Sequence, residues 1–341
     1  MTLKTTILFG GLNRERLVSV ASAQALAETL PDADLWFWAP TGAVYAAGRQ
    51  GLAAHARPFE IDLPTEGAPL AAAIEPALDL AAAEGRLLLL GMHGGAAEDG
   101  TLAALCEARG VAFTGSGAAA SRLAFDKAAT KARVAEAGVV SPATIPASTG
   151  AEVRDGRLAA QLAEHGKLVA KPVREGSSYG LIFVSTPEDL DALAEAADRE
   201  PYLIEPFVSG AEATCGVLQA ADGGLIALPP VEIRPADGAF DYAGKYLSKS
   251  TQEICPATFE ASVQEAIKAA ALKAHQAVGA FGYSRSDFIV TERGPVFLEI
   301  NTLPGLTKAS LYPKAIAAQG IAFRDFLDGQ VALAAARAGK A

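Results

Sequence analysis

The run Arg86-Leu87-Leu88-Leu89-Leu90-Gly91 shows no polar alternation. A strand with one wet face would alternate, so this one is buried on both faces, as in a parallel sheet covered by helices. The first third of the chain follows suit. Residues 5–9 form a short apolar strand ending at Gly10-Gly11, and 18–30 an alanine-rich helix stopped by Pro31. A second strand falls at 35–38, a helix at 68–84 despite Pro76, a helix at 102–109 and a strand at 111–113 leading into Thr114-Gly115-Ser116-Gly117. Residues 52–65 have no clear period. Strands alternating with helices predict an open parallel sheet with both faces covered.

Beyond residue 118 the pattern changes. A helix is predicted over 121–137, closed by Gly138. Strands follow at 168–170, 181–184 and 202–204, with a helix over 187–197. The last third holds a strand at 212–219, a long loop over 235–251, a helix over 259–278, strands at 284–290 and 295–301, and a helical tail. The 341 residues suffice for about two domains or three small ones. The net charge of -10 argues against a nucleic-acid or anionic-membrane partner, so any phosphate site must be a local cluster of lysines and backbone amides. No apolar run approaches the roughly 20 residues of a membrane span, and the N-terminal run lacks a leader's cleavage pattern. Cys106, Cys215 and Cys255 are odd in number and far apart, which fits a reducing cytoplasm.

Residues two apart on a strand share a face. Arg285 and Asp287 therefore face one way, and Glu299 and Asn301 share a face on the next strand. If the strands are neighbours, Asp287, Glu299 and Asn301 converge beside Arg285 as a hard oxygen site suited to Mg²⁺ with phosphate. Polar alternation on edge strands would read the same way. The following loop, from Thr302 to Leu311, carries Pro304-Gly305, whose backbone amides could hold a carboxylate or an oxyanion, and Ser310, placed to cap the next helix. An ordinary strand-to-helix loop is the alternative.

A second cluster is Lys171-Pro172-Val173-Arg174-Glu175-Gly176-Ser177-Ser178-Tyr179-Gly180. A lysine ends a strand and a Gly/Ser loop follows, able to fold over phosphates or to be a plain turn. Lys127 and Lys245 are further phosphate candidates, though single lysines are commonly solvated. A third cluster lies where parallel sheets place ligands, with Glu15 after the first strand and His93 after the 86–91 strand. Glu15 could take an ammonium group, and His93 could move a proton or orient a substrate. Glu98-Asp99 reads as a helix N-terminal cap, and His55, His165 and His275 as surface residues.

Together these segments resemble the D-alanine–D-alanine ligases of the ATP-grasp superfamily, in order: GGLNRERLVS, HGGAAEDGT, TGSG, FDK, KPVREGSSYG, IEPFVSGAE, DYAGKYLS, CPA, SRSDF and LEINTLPGLTKASLYPK. The resemblance implies an α/β chain that is α+β in its last two thirds. A Rossmann-like domain (1–120) would precede an ATP-grasp fold made of a central lid-bearing domain (121–209) and a C-terminal domain (210–341). It implies ATP with two Mg²⁺, Mn²⁺ substituting, and D-alanine as substrate for cell-wall precursor synthesis in a cytoplasmic homodimer. ATP would phosphorylate the carboxylate of one D-alanine, and the amine of a second would displace the phosphate. Lys127, Lys171 and Lys245 would hold phosphates, with Ser177 and Ser178 in the lid. Glu205, Phe207 and Glu212 would lie along the adenine hinge and ribose. Asp287, Glu299 and Asn301 would hold the metal. Glu15 and His93 would serve the first substrate, Arg285 and Gly305 the oxyanion, and Ser310 and Leu311 the second carboxylate. Ser177, Tyr246 and Glu15 match a linked trio that implies dipeptide rather than D-alanyl-D-lactate formation. Pro206, Ala96-Ala97, Phe125 and Tyr179 depart from the usual pattern. Another carboxylate–amine ligase with a different second substrate, and a non-catalytic nucleotide-binding protein, stand as alternatives. The latter predicts loss of a lysine or metal ligand, and none is missing.

Overall fold

A computed structural model describes residues 4–173, 180–234 and 251–339. Their strands form three sheets. In the first, β1 (Lys4–Gly10), β2 (Asp34–Trp38), β3 (Val44–Ala46), β4 (Arg86–Leu90) and β5 (Ala112–Phe113) lie in the order β3-β2-β1-β4-β5. All but the antiparallel edge strand β3 are parallel. Every residue of β4 is buried, as its unalternating leucines require. Leu88 packs with Ile7, Leu26 and Phe37, while Leu87 meets Ala334 of the C-terminal helix Phe323–Ala338. Arg337 of that helix donates to the carbonyls of Phe113 (2.5 Å) and Gly115 (2.9 Å), tying the chain's end to the first sheet.

The chain leaves β1 toward β2 and leaves β4 toward β5, in opposite directions. The carboxyl ends of β1 and β4 therefore flank the crevice where such sheets bind ligands. At the end of β1, Gly10 has φ +93°, and a Cβ there would lie 2.3 Å from the Trp38 carbonyl oxygen, so only glycine fits the turn. Its N–H donates to Ser19 Oγ at 2.8 Å, joining the turn to helix Arg16–Thr29.

The second sheet, β6 (Ile145–Ala147), β7 (Leu168–Pro172), β8 (Ile182–Val184) and β9 (Tyr202–Pro206), is antiparallel in the order β6-β9-β7-β8. Helices Arg157–His165 and Pro187–Ala197 set Leu158, Leu162 and Leu193 against Leu168, Ala170 and Ile204. Thr186 and Asp189 form a reciprocal capping box at the start of the second helix. The third sheet comprises β10 (Ala211–Gln219), β11 (Leu225–Ala227), β12 (Val231–Arg234), β13 (Gln252–Ile254), β14 (Tyr283–Thr291) and β15 (Gly294–Asn301). It runs antiparallel as β13-β12-β10-β14-β15, with β11 also on β10. Helix Ala261–Val278 covers one face with Ile267, Ala271 and Ala274 on Val217, Phe288 and Phe297.

Several sequence expectations need correction. The helix expected over 121–137 is two, Ala118–Phe125 and Lys127–Glu136, broken at Asp126. Asp126 leaves helical geometry and its carboxylate accepts from the Ala129 N–H at 2.9 Å, an N-cap inside what reads as one helix. The helix expected over 68–84 spans only Ile74–Ala83, because Ala71 bridges to Val44 instead. His275 is not at the surface. It is 1% exposed, since residues 267, 271, 274, 275 and 278 form the buried stripe of their helix. Its Nδ1 lies 2.8 Å from Ser284 Oγ, and burial pushes the ring down to about 4. The short strands β3, β6, β11, β12 and β13 carry no sequence signal strong enough to read.

Candidate active site

Across β14 and β15, Asp287 pairs with Glu299 and Arg285 with Asn301, so the four side chains share one face. The opposite face is apolar, where Phe288 and Phe297 meet edge-on with centroids 5.9 Å apart. Arg285 grips Asp287 through two hydrogen bonds of 2.8 and 2.9 Å. Thr214, opposite Asp287 on β10, donates its hydroxyl to the same carboxylate at 2.7 Å. Glu212, two residues before Thr214, lies on the same face. Among the described residues no group of three or more His, Cys, Asp or Glu forms a metal cluster. The oxygen trio takes its third donor from the amide of Asn301. Two carboxylates and an amide oxygen are a hard donor set that fits Mg²⁺.

The carboxyl edge of the first sheet faces these groups. Asn13 donates to the His93 carbonyl at 2.9 Å and joins the loops after β1 and β4. Gly94, at φ +64°, lies under Glu15, and a Cβ there would sit 1.7 Å from Glu15 Oε2. The His93 ring is buried. A carbonyl only accepts, so Nδ1–H donates to Leu303 (2.9 Å) and Nε2 accepts from the Ser22 hydroxyl (2.7 Å). Burial, aided by the nearby Arg285 cation, pushes His93 down to about 4. Both ring nitrogens are committed, so His93 is a neutral strut, not the proton carrier the sequence left open. Asp99 does serve the helix Thr101–Glu107, accepting from the Thr101 N–H at 2.8 Å. Glu98 does not cap that helix. It accepts from the Gly94 N–H at 2.9 Å, and burial, then the Glu15 charge, push its carboxyl up to about 8.

The loop after β15 is bound to the first sheet through Leu303 on His93 and the Leu306 N–H on Ser22 Oγ at 3.4 Å. Ser310 occupies the N-cap position of helix Leu311–Ala318 but makes no side-chain cap bond, contrary to expectation. Its hydroxyl turns back to Thr307, 3.2 Å from the N–H and 2.7 Å from Oγ1. A Cβ on Gly305 would lie 2.8 Å from Ser310 Oγ, so the two positions are in contact.

One cleft is lined by Glu15, His93, Glu98, Lys127, Arg285, Glu299, Asn301, Gly305, Ser310 and Leu311. Lys127 opens its helix directly after the Asp126 cap. Lys171 lies apart, its Nζ 3.2 Å from Oε2 of Glu205 on β9. The other oxygen of Glu205 accepts from Lys131. Burial lowers the Lys131 ammonium to about 8, against the pull of Glu205. The Phe207 N–H is spent on the Lys167 carbonyl at 3.0 Å, and its ring lies 4.2 Å from Lys167 Nζ, so its expected hinge contact is not made through that amide. Ser177, Ser178, Tyr179, Lys245 and Tyr246 lie outside the described residues. Sequence reasoning missed Lys131. Lys131 follows Lys127 by one helical turn, a spacing that could have flagged it.

Residues 4–116 match the family model described as D-ala D-ala ligase N-terminus, and residues 153–331 the one described as D-ala D-ala ligase C-terminus. A D-alanine–D-alanine ligase of Syntrophotalea carbinolica is 33% identical over 337 residues, 98% of this chain and 97% of that protein. One from Oleidesulfovibrio alaskensis is 42% identical over 257 residues, 74% of this chain and 80% of that protein. Among solved structures, the VanG D-Ala:D-Ser ligase from Enterococcus faecalis superposes with a TM-score of 0.79 at 29% identity, covering 98% of this chain and 100% of that one. The D-alanine–D-alanine ligase from Bacillus anthracis complexed with ATP gives 0.75 at 25%, covering 100% and 99%.

Proposed function

The chain belongs to the D-Ala D-Ala ligase family, and from that premise we propose that it joins two D-alanines at the cost of ATP, for peptidoglycan precursor synthesis. The single observation that carries the reading is the cleft itself. It brings a carboxylate that can take an ammonium group (Glu15) together with Arg285, Glu299 and Asn301 from the opposite sheet. In the first step the γ-phosphoryl group moves from ATP to a carboxylate oxygen of the first D-alanine, giving D-alanyl phosphate and ADP. In the second, the neutral amine of another D-alanine attacks that carbonyl carbon, the C–O bond to phosphate breaks, and phosphate leaves carrying the amine's proton as hydrogen phosphate. Glu15 holds the first ammonium, with its loop braced by Asn13 and His93. Arg285 and the Gly305 N–H face the tetrahedral oxyanion, where charge develops. Ser310 and the N–H of Leu311 take the second carboxylate.

Lys127 and Lys171 would hold phosphates, and the phosphate and water-excluding roles expected of Lys245, Ser177 and Ser178 fall on residues outside the described ones. Glu205, Phe207 and Glu212 border the nucleotide's base and ribose. Asp287, Glu299 and Asn301 would hold Mg²⁺, which when bound neutralises charge on the phosphoryl group in transfer. No helix of the described residues is long and apolar enough to cross a membrane. A reaction that consumes ATP belongs in the cytoplasm, and a homodimer completes the reading. A second reading, D-serine as the second substrate, draws on the likeness to the D-Ala:D-Ser ligase. Product analysis from equimolar D-alanine, D-serine and D-lactate at neutral pH separates the two. The proposal expects D-alanyl-D-alanine as the main product, and a dominant mixed product would reject it.

A further inference from the structure

We propose that Lys131 is a positioning residue for the nucleotide: it neutralises Glu205 so that Lys171 can turn from that carboxylate to a phosphate. The inference rests on the ATP-dependent reading above and concerns a residue that reading does not use. Lys131 is 4% exposed and Glu205 is 3% exposed. The Lys131 ammonium donates to Oε1 of Glu205, and Lys171 Nζ lies 3.2 Å from Oε2. Two lysines thus share one buried carboxylate, and Glu299 also attracts Lys131. The more accessible is Lys171, whose side chain is 18% exposed against 5% for Lys131.

A carboxylate this deep that loses its counter-charge costs several kcal/mol in general terms, more than most single contacts return. With Lys131 in place, Lys171 can leave without that cost. With Lys131 gone, Lys171 becomes the charge that must stay. The two partners also come from different sheets' territories. Lys131 rises from helix Lys127–Glu136, whose Val134 packs with Ile267 and Ala271 of the C-terminal sheet's helix, whereas Glu205 lies on β9 of the second sheet. The ion pair therefore links a helix packed on the third sheet's helix to a strand of the second sheet.

The test measures Mg-ATP affinity by calorimetry for the full chain and for Lys131→Met, Lys131→Arg, Glu205→Gln and the Lys131→Met/Glu205→Gln double variant, with thermal unfolding and KM for D-alanine alongside. Lys131→Met is expected to weaken Mg-ATP by about tenfold and to leave KM for D-alanine within about twofold, and Lys131→Arg to restore affinity to within about threefold. In the Glu205→Gln background, Lys131→Met should change affinity by less than about twofold, because no buried carboxylate remains for Lys131 to neutralise. Equal weakening in both backgrounds would overturn the proposal, since Lys131 would then act on the nucleotide directly. A lower unfolding temperature with unchanged Mg-ATP affinity would overturn it too, leaving a purely structural ion pair. If Lys131→Met does not fold, the comparison of the double variant with Glu205→Gln decides. Native protein that binds no Mg-ATP would instead overturn the ATP-dependent reading, and this inference with it.

Discussion

The two sides of the cleft are built by different means. On the C-terminal side, Arg285, Asp287, Glu299 and Asn301 stand on strand faces, and register alone aligns them. On the N-terminal side, Glu15 and His93 follow parallel strands and Glu98 ends the short helix Gly95–Glu98, held by glycine geometry and buried hydrogen bonds. The strand side pairs its charges, with Arg285 on Asp287. The loop side crowds two carboxyls, Glu15 and Glu98, and leaves Glu98 pushed up to about 8. A sheet face can offer neighbours of opposite sign at fixed spacing. A loop at a sheet edge brings groups together from distant parts of the chain and must bury some of them.

The contrast can be broken first where it is most rigid. Glu299→Gln removes one charge from the strand side without changing its shape, and turnover should fall by about 100-fold with little change in unfolding temperature. Steady-state kinetics with near-native turnover would remove Glu299 from the machinery. On the loop side, Gly94→Ala puts a Cβ at φ +64° against Glu15 Oε2. It should cost about 1–3 kcal/mol of stability and raise KM for the first D-alanine by about tenfold. Denaturant unfolding and a D-alanine titration read the two effects. If stability falls and KM does not, Glu15 is not the ammonium site. Ser310→Ala, at the junction of both sides, should raise only the KM of the second D-alanine, by a few-fold, since one hydroxyl contact contributes about 1 kcal/mol. An unchanged KM would detach Ser310 from that substrate.

A further effect concerns pH. The Glu98 carboxyl moves from 4.5 up to about 8 on folding. The folded chain then keeps a proton that the unfolded chain releases. This contribution is complete below about 4.5 and is lost as pH rises toward about 8. Glu98→Gln keeps an acceptor for the Gly94 N–H and should flatten the fall in unfolding temperature over that window. A slope equal to that of the native chain would mean that Glu98 does not change protonation on folding.

The same contrast explains what the sequence made legible. Period-two alternation put Arg285 with Asp287 and Glu299 with Asn301, and the pairing of β14 with β15 joins the two sets, because strand faces translate spacing directly into geometry. The leucine run of β4 likewise announced a buried parallel strand. Glu98 accepts from the N–H of Gly94, the N-cap of its own short helix, while Asp99 bonds the first N–H of the next helix, and nothing in the local sequence separates the two roles. Lys131 lies on a polar helix, and its place inside is set by a long-range partner, the Glu205 carboxylate on β9. Ser310 had the residue type and position of a cap, yet its hydroxyl found Thr307 first. His275 was assigned to solvent for want of a partner, when the apolar stripe of its own helix already placed it inside. Local signals fail where a long-range partner decides.

The most direct test of the account is phosphate release from purified protein with Mg-ATP in the presence of D-alanine, of L-alanine or of neither, with the product identified by mass. The account predicts release that depends on D-alanine and a D-alanyl-D-alanine product, with L-alanine inert. Nucleotide binding without D-alanine-dependent release would contradict it.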